Sequence, residues 1–277
     1  WEYRTEFDAT DEVLSKSKVS LCFEGLDTYA EVSLNGVIVL SADNMFRAWN
    51  VDCKSLLKRN GNILDIRFLS AEKKVAELAK RLPYQLPGGN RVFSRRPAFQ
   101  WGWDFGPKMV GCGIWKPILL SGWDGFVVND IQVIQQSVGK TQAELQLKVT
   151  LDVDQEADLL INVKVLNDLQ DSVAIRRHVV CGRQEISVPF EIENVKRWWT
   201  YQLGEPFCYR FSVEVKDEHS RSVSKEVTAG IRQLELVQKK SDGGRSFFFR
   251  LNGVPVFMKG ANVVPPDHFV HRIDISQ

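Results

Sequence analysis

The residue types best suited to chemistry cluster in Phe99-Gln100-Trp101-Gly102-Trp103-Asp104-Phe105-Gly106-Pro107. Two indoles, phenylalanine and one carboxylate sit among glycines and a proline, so the segment reads as a loop. Aromatic faces stack on the C–H faces of sugar rings, and a carboxylate such as Asp104 accepts hydrogen bonds from two adjacent hydroxyls. The same residues would also make a tryptophan-rich hydrophobic plug, with Asp104 capping a turn through its own backbone. Residue types alone leave both readings open.

Other candidates carry less. Gly139-Lys140-Thr141 ends like a phosphate-binding loop, but Ile134 stands where that motif needs its first glycine, and no helical pattern follows. His268 and His271 are spaced as two metal ligands, but the chain has four histidines and no evident third ligand, so a packing or solvated role is the expectation. Cys22, Cys53, Cys112, Cys181 and Cys208 are odd in number and widely spaced, which fits buried free thiols better than a zinc site or a disulfide framework. No metal or cofactor is expected.

The elements that must position these residues read as strands. Asn35-Gly36 separates Tyr29–Leu34 from Val37–Leu40, with Ala30, Val32 and Leu34 on one face, a pattern for a two-residue type I′ hairpin. Asn60-Gly61 precedes the strand-like run Ile63–Phe68, and Asn252-Gly253 separates Phe247–Leu251 from Val254–Met258. One stretch, Ala71–Leu82, has helical spacing through Val75, Leu78, Ala79 and Leu82. Six closely spaced strands follow: Ile131–Ile134, Ala143–Leu151, Asp158–Leu166, Ser172–Val180, Gln184–Ile192 and Cys208–Lys216. That spacing suggests an immunoglobulin-like sandwich. The expected fold class is mainly β, with domains at 1–125, 126–230 and 231–277, the last too short for a core of its own.

With 36 basic against 35 acidic residues the formal net charge is +1, so no basic field for nucleic acid shows in the totals. No apolar run approaches the roughly 20 residues of a membrane-spanning helix. Neither partner is expected.

Phe99–Pro107 followed by Gly113-Ile114-Trp115-Lys116-Pro117 resembles the W-G-W-D-[WF]-G-P…G-I-W-[RK]-P signature of β-mannosidases in glycoside hydrolase family 2. Three further segments agree in order. Phe23–Ala30 with Leu34-Asn35-Gly36 is similar to the family's galactose-binding-like jelly roll. Trp198-Trp199 with Leu203-Gly204-Glu205-Pro206 is similar to the segment closing its immunoglobulin-like domain. Lys259-Gly260-Ala261-Asn262 with Pro265 and Asp267 is similar to the entry into its catalytic (β/α)8 barrel, whose first strand would be Val256–Met258. Val263 stands where the family usually has Trp, and Thr200 where it usually has Pro.

The resemblance implies a retaining exo-glycosidase that removes terminal β-D-mannose from an oligosaccharide or glycan, using two glutamates about 5–5.5 Å apart, the acid/base directly after an Asn. This sequence contains no Asn-Glu dipeptide. The expectation is therefore a fragment, lacking the first jelly-roll strands and nearly all of the barrel, with no catalytic residue and no activity alone. The resemblance puts Trp103 and Asp104 at the barrel mouth against the non-reducing sugar, and Asn262 after the first barrel strand. It is compatible with a periplasmic, other extracytoplasmic or lysosomal location. Arg95 and Arg96 precede the loop and could position Asp104, although a surface placement is the plainer expectation. A non-catalytic carbohydrate-binding module, and a family 2 hydrolase acting on another β-linked sugar, are the alternatives.

Overall fold

The computed structural model describes residues 1–170 and 172–273, and half of the chain is strand against a tenth helix, so the protein is mainly β. Two compact units form: Trp1–Trp123 together with the segment beginning at Asn262, and Asp124–Ala261.

In the first unit the chain runs β1 (Glu2–Phe7), α1 (Asp11–Leu14), β2 (Lys18–Phe23), β3 (Leu26–Asp27), β4 (Ala30–Leu34), β5 (Val37–Ala42), β6 (Trp49–Asp52) and β7 (Asn62–Phe68). After helix α2 (Ala71–Ala79) come β8 (Trp101–Trp103), β9 (Gly106–Lys108), β10 (Gly113–Ile114) and β11 (Ile118–Trp123). One sheet has the order β1-β7-β4-β5, another β11-β2-β6, and β10 pairs with β3. Alternation is what lets the sheets close on each other: Val19, Leu21 and Phe23 of β2, Val32 and Leu34 of β4, and Leu64, Ile66 and Phe68 of β7 share one buried cluster. The Asn35-Gly36 turn has φ of 52° and 84°, the positive values that a type I′ hairpin demands and that Asn and Gly tolerate best. Asn35 also anchors the turn, its amide donating to Leu56 O at 2.7 Å and its side-chain oxygen accepting from Ile63 N at 2.9 Å.

The second unit is an immunoglobulin-like sandwich. Its strands are β12 (Phe126–Val138), β13 (Gln142–Val153), β14 (Ala157–Val165), β15 (Val173–Val179), β16 (Gly182–Glu193), β17 (Tyr209–Asp217) and β18 (Ser222–Ala229). They form sheets β12-β13-β16 and β15-β14-β17-β18, whose inner faces meet in a core containing Leu147, Val149, Ile161, Phe211 and Val213. Beyond it lie β19 (Leu234–Val237), β20 (Lys240–Ser241), β21 (Gly244–Arg245), β22 (Phe248–Leu251) and β23 (Val254–Val256), of which β19, β22 and β23 make a small antiparallel sheet. The paired tryptophans fasten one end of this unit. Trp198 N donates to Ile231 O at 2.8 Å, Asn252 donates to Trp198 O at 2.9 Å, and a Cβ on Gly230 would sit 2.7 Å from the Trp198 ring, so only glycine fits there.

Some expectations change. A seventh sandwich strand, β18, escapes the pattern because Lys225 interrupts the alternation on the face where Val223, Val227 and Ala229 turn inward. The helix stops at Ala79, capped at its start by Ser70 Oγ accepting from Lys73 N at 3.4 Å. Where Val256–Met258 was expected as a barrel strand, Val254–Val256 pairs antiparallel with β22, and Phe257 and Met258 lie outside any strand. The Gly139-Lys140-Thr141 segment is the turn joining β12 to β13.

All five cysteines are free. Burial pushes the Cys53 thiol up to about 11 and raises Cys22 and Cys112 as well, whereas Cys181 is exposed. Since the thiolate is the reactive form, a thiol reagent at pH 8 is expected to label Cys181 first and Cys53 only after denaturant is added. Equal rates at the two would mean that the core around Val19 opens readily.

Candidate functional site

The tryptophan-rich segment folds as a small hairpin. Pro97 starts a 3-10 turn at Ala98–Gln100, and β8 and β9 then pair through Trp101 with Lys108 and Trp103 with Gly106, which leaves Asp104 and Phe105 at the tip. Gly102 has φ of 98°, and its position faces Lys108 across the hairpin, so a side chain there would be strained. Trp103 remains 46% exposed at the end of β8, and the Arg91 guanidinium stacks over its ring at 4.6 Å. Asp104 is exposed, and among the described residues no hydrogen bond or ion pair engages its carboxylate. The plug reading therefore fails at the tip: the turn carboxylate and the Trp103 indole face outward, while Phe99 and Trp101 turn partly inward.

The base of the hairpin is built on a buried ionic cluster that the sequence does not announce. Arg96, expected at the surface or beside Asp104, has a fully buried side chain. Its Nη2 donates to Asp27 Oδ2 at 3.1 Å and to Gln100 Oε1 at 2.6 Å, its Nε to the same Gln100 oxygen at 3.1 Å, and its Nη1 to Gly111 O at 2.8 Å. Thr28 donates to the other Asp27 oxygen at 2.5 Å. Arg96 thus engages Asp27 rather than Asp104, because β3 carries a carboxylate into the interior and only a cation can compensate it there. Burial nevertheless pushes the Asp27 carboxyl up and the Arg96 guanidinium down, against their mutual attraction. The one available signal was Asp27 itself, a carboxylate among the mostly apolar residues Leu26–Ala30. Arg95 stays exposed and contributes its carbonyl to Met45 N at 3.0 Å.

The segment beginning at Asn262 belongs to the same unit. Asn262 is exposed, with no hydrogen-bond partner among the described residues. Six residues on, His268 packs edge-on against Phe99, ring centroids 5.7 Å apart, and at the same distance from Phe269. His268 is thus a packing residue, and no group of three or more His, Cys, Asp or Glu gathers for a metal among the described residues. A cavity of about 230 Å³ opens beside the cluster, lined by Asp27, Gln100, Trp115, Tyr3, Phe269 and His271 among others. Its carboxylate, amide and indole are already hydrogen-bonded within the protein, the indole to Met45 O at 3.0 Å.

Taken together, an exposed indole–carboxylate hairpin on a jelly roll, followed by an immunoglobulin-like sandwich, is matched by two consecutive family models. Residues 1–116 fit the glycosyl hydrolase 2 galactose-binding domain-like model, and residues 126–232 fit the model of glycosyl hydrolases family 2. The chain belongs to glycosyl hydrolase family 2. Within the family it is 31% identical over 282 residues to beta-mannosidase B of Thermothelomyces thermophilus, a match that takes in 99% of this chain and 32% of that protein. Beta-mannosidase B of Aspergillus oryzae is likewise 31% identical, over 99% of this chain and 33% of that one. Among solved structures, a beta-D-mannosidase from Dictyoglomus thermophilum superposes with a TM-score of 0.91 at 35% identity, covering 99% of this chain and 34% of its own. An exo-chitosanase from Amycolatopsis orientalis, at 17% identity and a TM-score of 0.73, shares the fold. The chain spans about a third of the length of the family members it matches.

Proposed function

We propose that this chain is the substrate-contacting, non-barrel part of a β-mannosidase, which removes terminal non-reducing β-D-mannose with retention of configuration. The observation that carries the reading is the Trp103–Asp104 hairpin tip, where a carboxylate without an internal partner stands beside an exposed indole, in a chain whose family relatives bear that name. Asp104 would accept hydrogen bonds from two sugar hydroxyls, Trp103 would cover a C–H face, and Asn262 would add an amide donor and acceptor. On this reading 1–125 is the jelly roll, 126–230 the sandwich and 231–277 the start of the catalytic domain. The acid/base and nucleophile glutamates lie in that domain outside these 277 residues, which contain no Asn-Glu pair, so the chain alone hydrolyses nothing.

A second reading has one residue in its favour. Val263, exposed where the family usually has Trp, removes an aromatic wall and suits a family 2 hydrolase acting on another β-linked sugar.

The test is hydrolysis of aryl β-D-mannoside by the polypeptide from the whole reading frame, beside the aryl β-glucosaminide, β-galactoside and β-glucuronide. The mannoside should be cleaved fastest. Asp104→Ala should lower kcat/KM by roughly 10- to 150-fold, the value of a hydrogen bond to a charged group. Preference for another glycoside transfers the assignment to the second reading, and an unaffected Asp104→Ala variant removes the hairpin from the site.

A further inference from the structure

The Gln100 amide has a fixed direction. Its oxygen accepts two hydrogen bonds from the Arg96 guanidinium, at 2.6 and 3.1 Å, and a guanidinium offers only donors. The NH2 group must therefore face the other way, where it donates to the His268 carbonyl at 3.3 Å, across 168 residues of sequence. Among the described residues this is the hydrogen bond that ties the hairpin base to the segment carrying Asn262. Gln100 also holds the hairpin itself, since Met109 N donates to its backbone oxygen at 2.9 Å. Around the tie, His268 lies against Phe99, and a Cβ on Gly106 would meet His268 Nδ1 at 3.4 Å, so the segment sits close on the hairpin.

The cluster behind this amide is an expensive way to gain stability. Removing a guanidinium and a carboxylate from water costs more than their attraction returns unless the geometry is very good, and apolar side chains of similar volume often serve as well. What the ions supply that apolar residues could not is an amide aimed at one carbonyl.

We infer that Gln100 is a positioning residue: backed by Arg96 and Asp27, it holds the Asn262 segment at a set distance from the Trp103–Asp104 hairpin, and so fixes the spacing of the groups that grip the sugar. This rests on the hairpin being a sugar site as proposed above. Gln100 touches no substrate, so its loss acts on affinity and leaves the chemical step alone.

Two variants separate the role from folding. Gln100→Glu keeps an acceptor for Arg96 but turns a carboxylate oxygen toward the His268 carbonyl. Gln100→Met keeps the volume and removes all three side-chain hydrogen bonds. In the whole-frame enzyme, both should raise KM about five- to tenfold, the weight of one or so hydrogen bonds, with kcat within twofold. The aryl β-glycoside used is whichever the wild type cleaves, so failure of the mannose assignment does not touch this result. In the 277-residue chain, both variants should speed amide hydrogen exchange at Phe269 and Val270 at least tenfold, while Asp104→Ala leaves it unchanged. Unchanged exchange overturns the tie, and unchanged KM with faster exchange overturns its role in sugar binding. A wild type that cleaves none of the glycosides defeats the hairpin reading itself and the sugar role with it, and exchange alone then decides whether Gln100 clamps the segment.

Discussion

Arg96→Met is expected to destabilise the jelly-roll unit by about 3–5 kcal/mol, the range for breaking a buried pair from one side. The guanidinium is fully buried and makes its bonds to Asp27, Gln100 and Gly111 O. Methionine fills much of the space but leaves the Asp27 carboxylate inside with Thr28 alone to bond it. Adding Asp27→Leu should return at least half of the loss, because the desolvation cost leaves with the second ion. A double variant as unstable as the single would place the loss in packing. Acid gives an independent check. Burial holds the Asp27 carboxyl above its ordinary value in the folded state, so the fold binds that proton more tightly than the unfolded chain does. Stability from this group is then greatest below the unfolded pKa and falls as pH rises through the folded one. Arg96 limits that fall, so the deficit of Arg96→Met should be larger at pH 7 than at pH 4. Amide hydrogen exchange at both values in β4 and β7, which pair directly through Val32 and Ile66, measures it for this unit alone.

The second large effect lies in the sandwich. Phe211 of β17 is fully buried, edge-on to Phe190 of β16 at 5.7 Å and tilted against Tyr209 at 6.2 Å. It therefore joins the two sheets across the core, where deletion of a ring leaves a cavity that neighbouring strands cannot close. Phe211→Ala should cost about 3–5 kcal/mol, and Phe211→Leu considerably less because most of the volume stays. Because two units can unfold separately, a single transition for the whole chain is not the right readout. Amide exchange in β14 and β17, which pair directly through Ile161 and Val215, follows this unit alone. Exchange that scarcely changes in Phe211→Ala would show that the sheets repack around the gap.

Local order was legible in the chain because it has local causes. Alternation set the buried faces of β4, β7 and β13, and Asn-Gly pairs set two hairpins, since Asn35, Gly36, Asn252 and Gly253 all take the positive φ those turns need. The motif spacing was enough for the family and for the jelly-roll and immunoglobulin-like architecture. Strand β18 escaped because Lys225 breaks the apolar alternation between Val223 and Val227, and the last turn expected of α2 was lost because apolar spacing does not say where packing ends.

Only the tertiary structure decided which polar groups meet inside. Arg96 and Asp27 are 69 positions apart, Gln100 and His268 are 168 apart, and nothing in the period of either segment links them. A strand's pattern states which face turns inward but not what the opposite layer brings to it. A buried charge finds its partner by enclosure, and enclosure belongs to the folded chain as a whole.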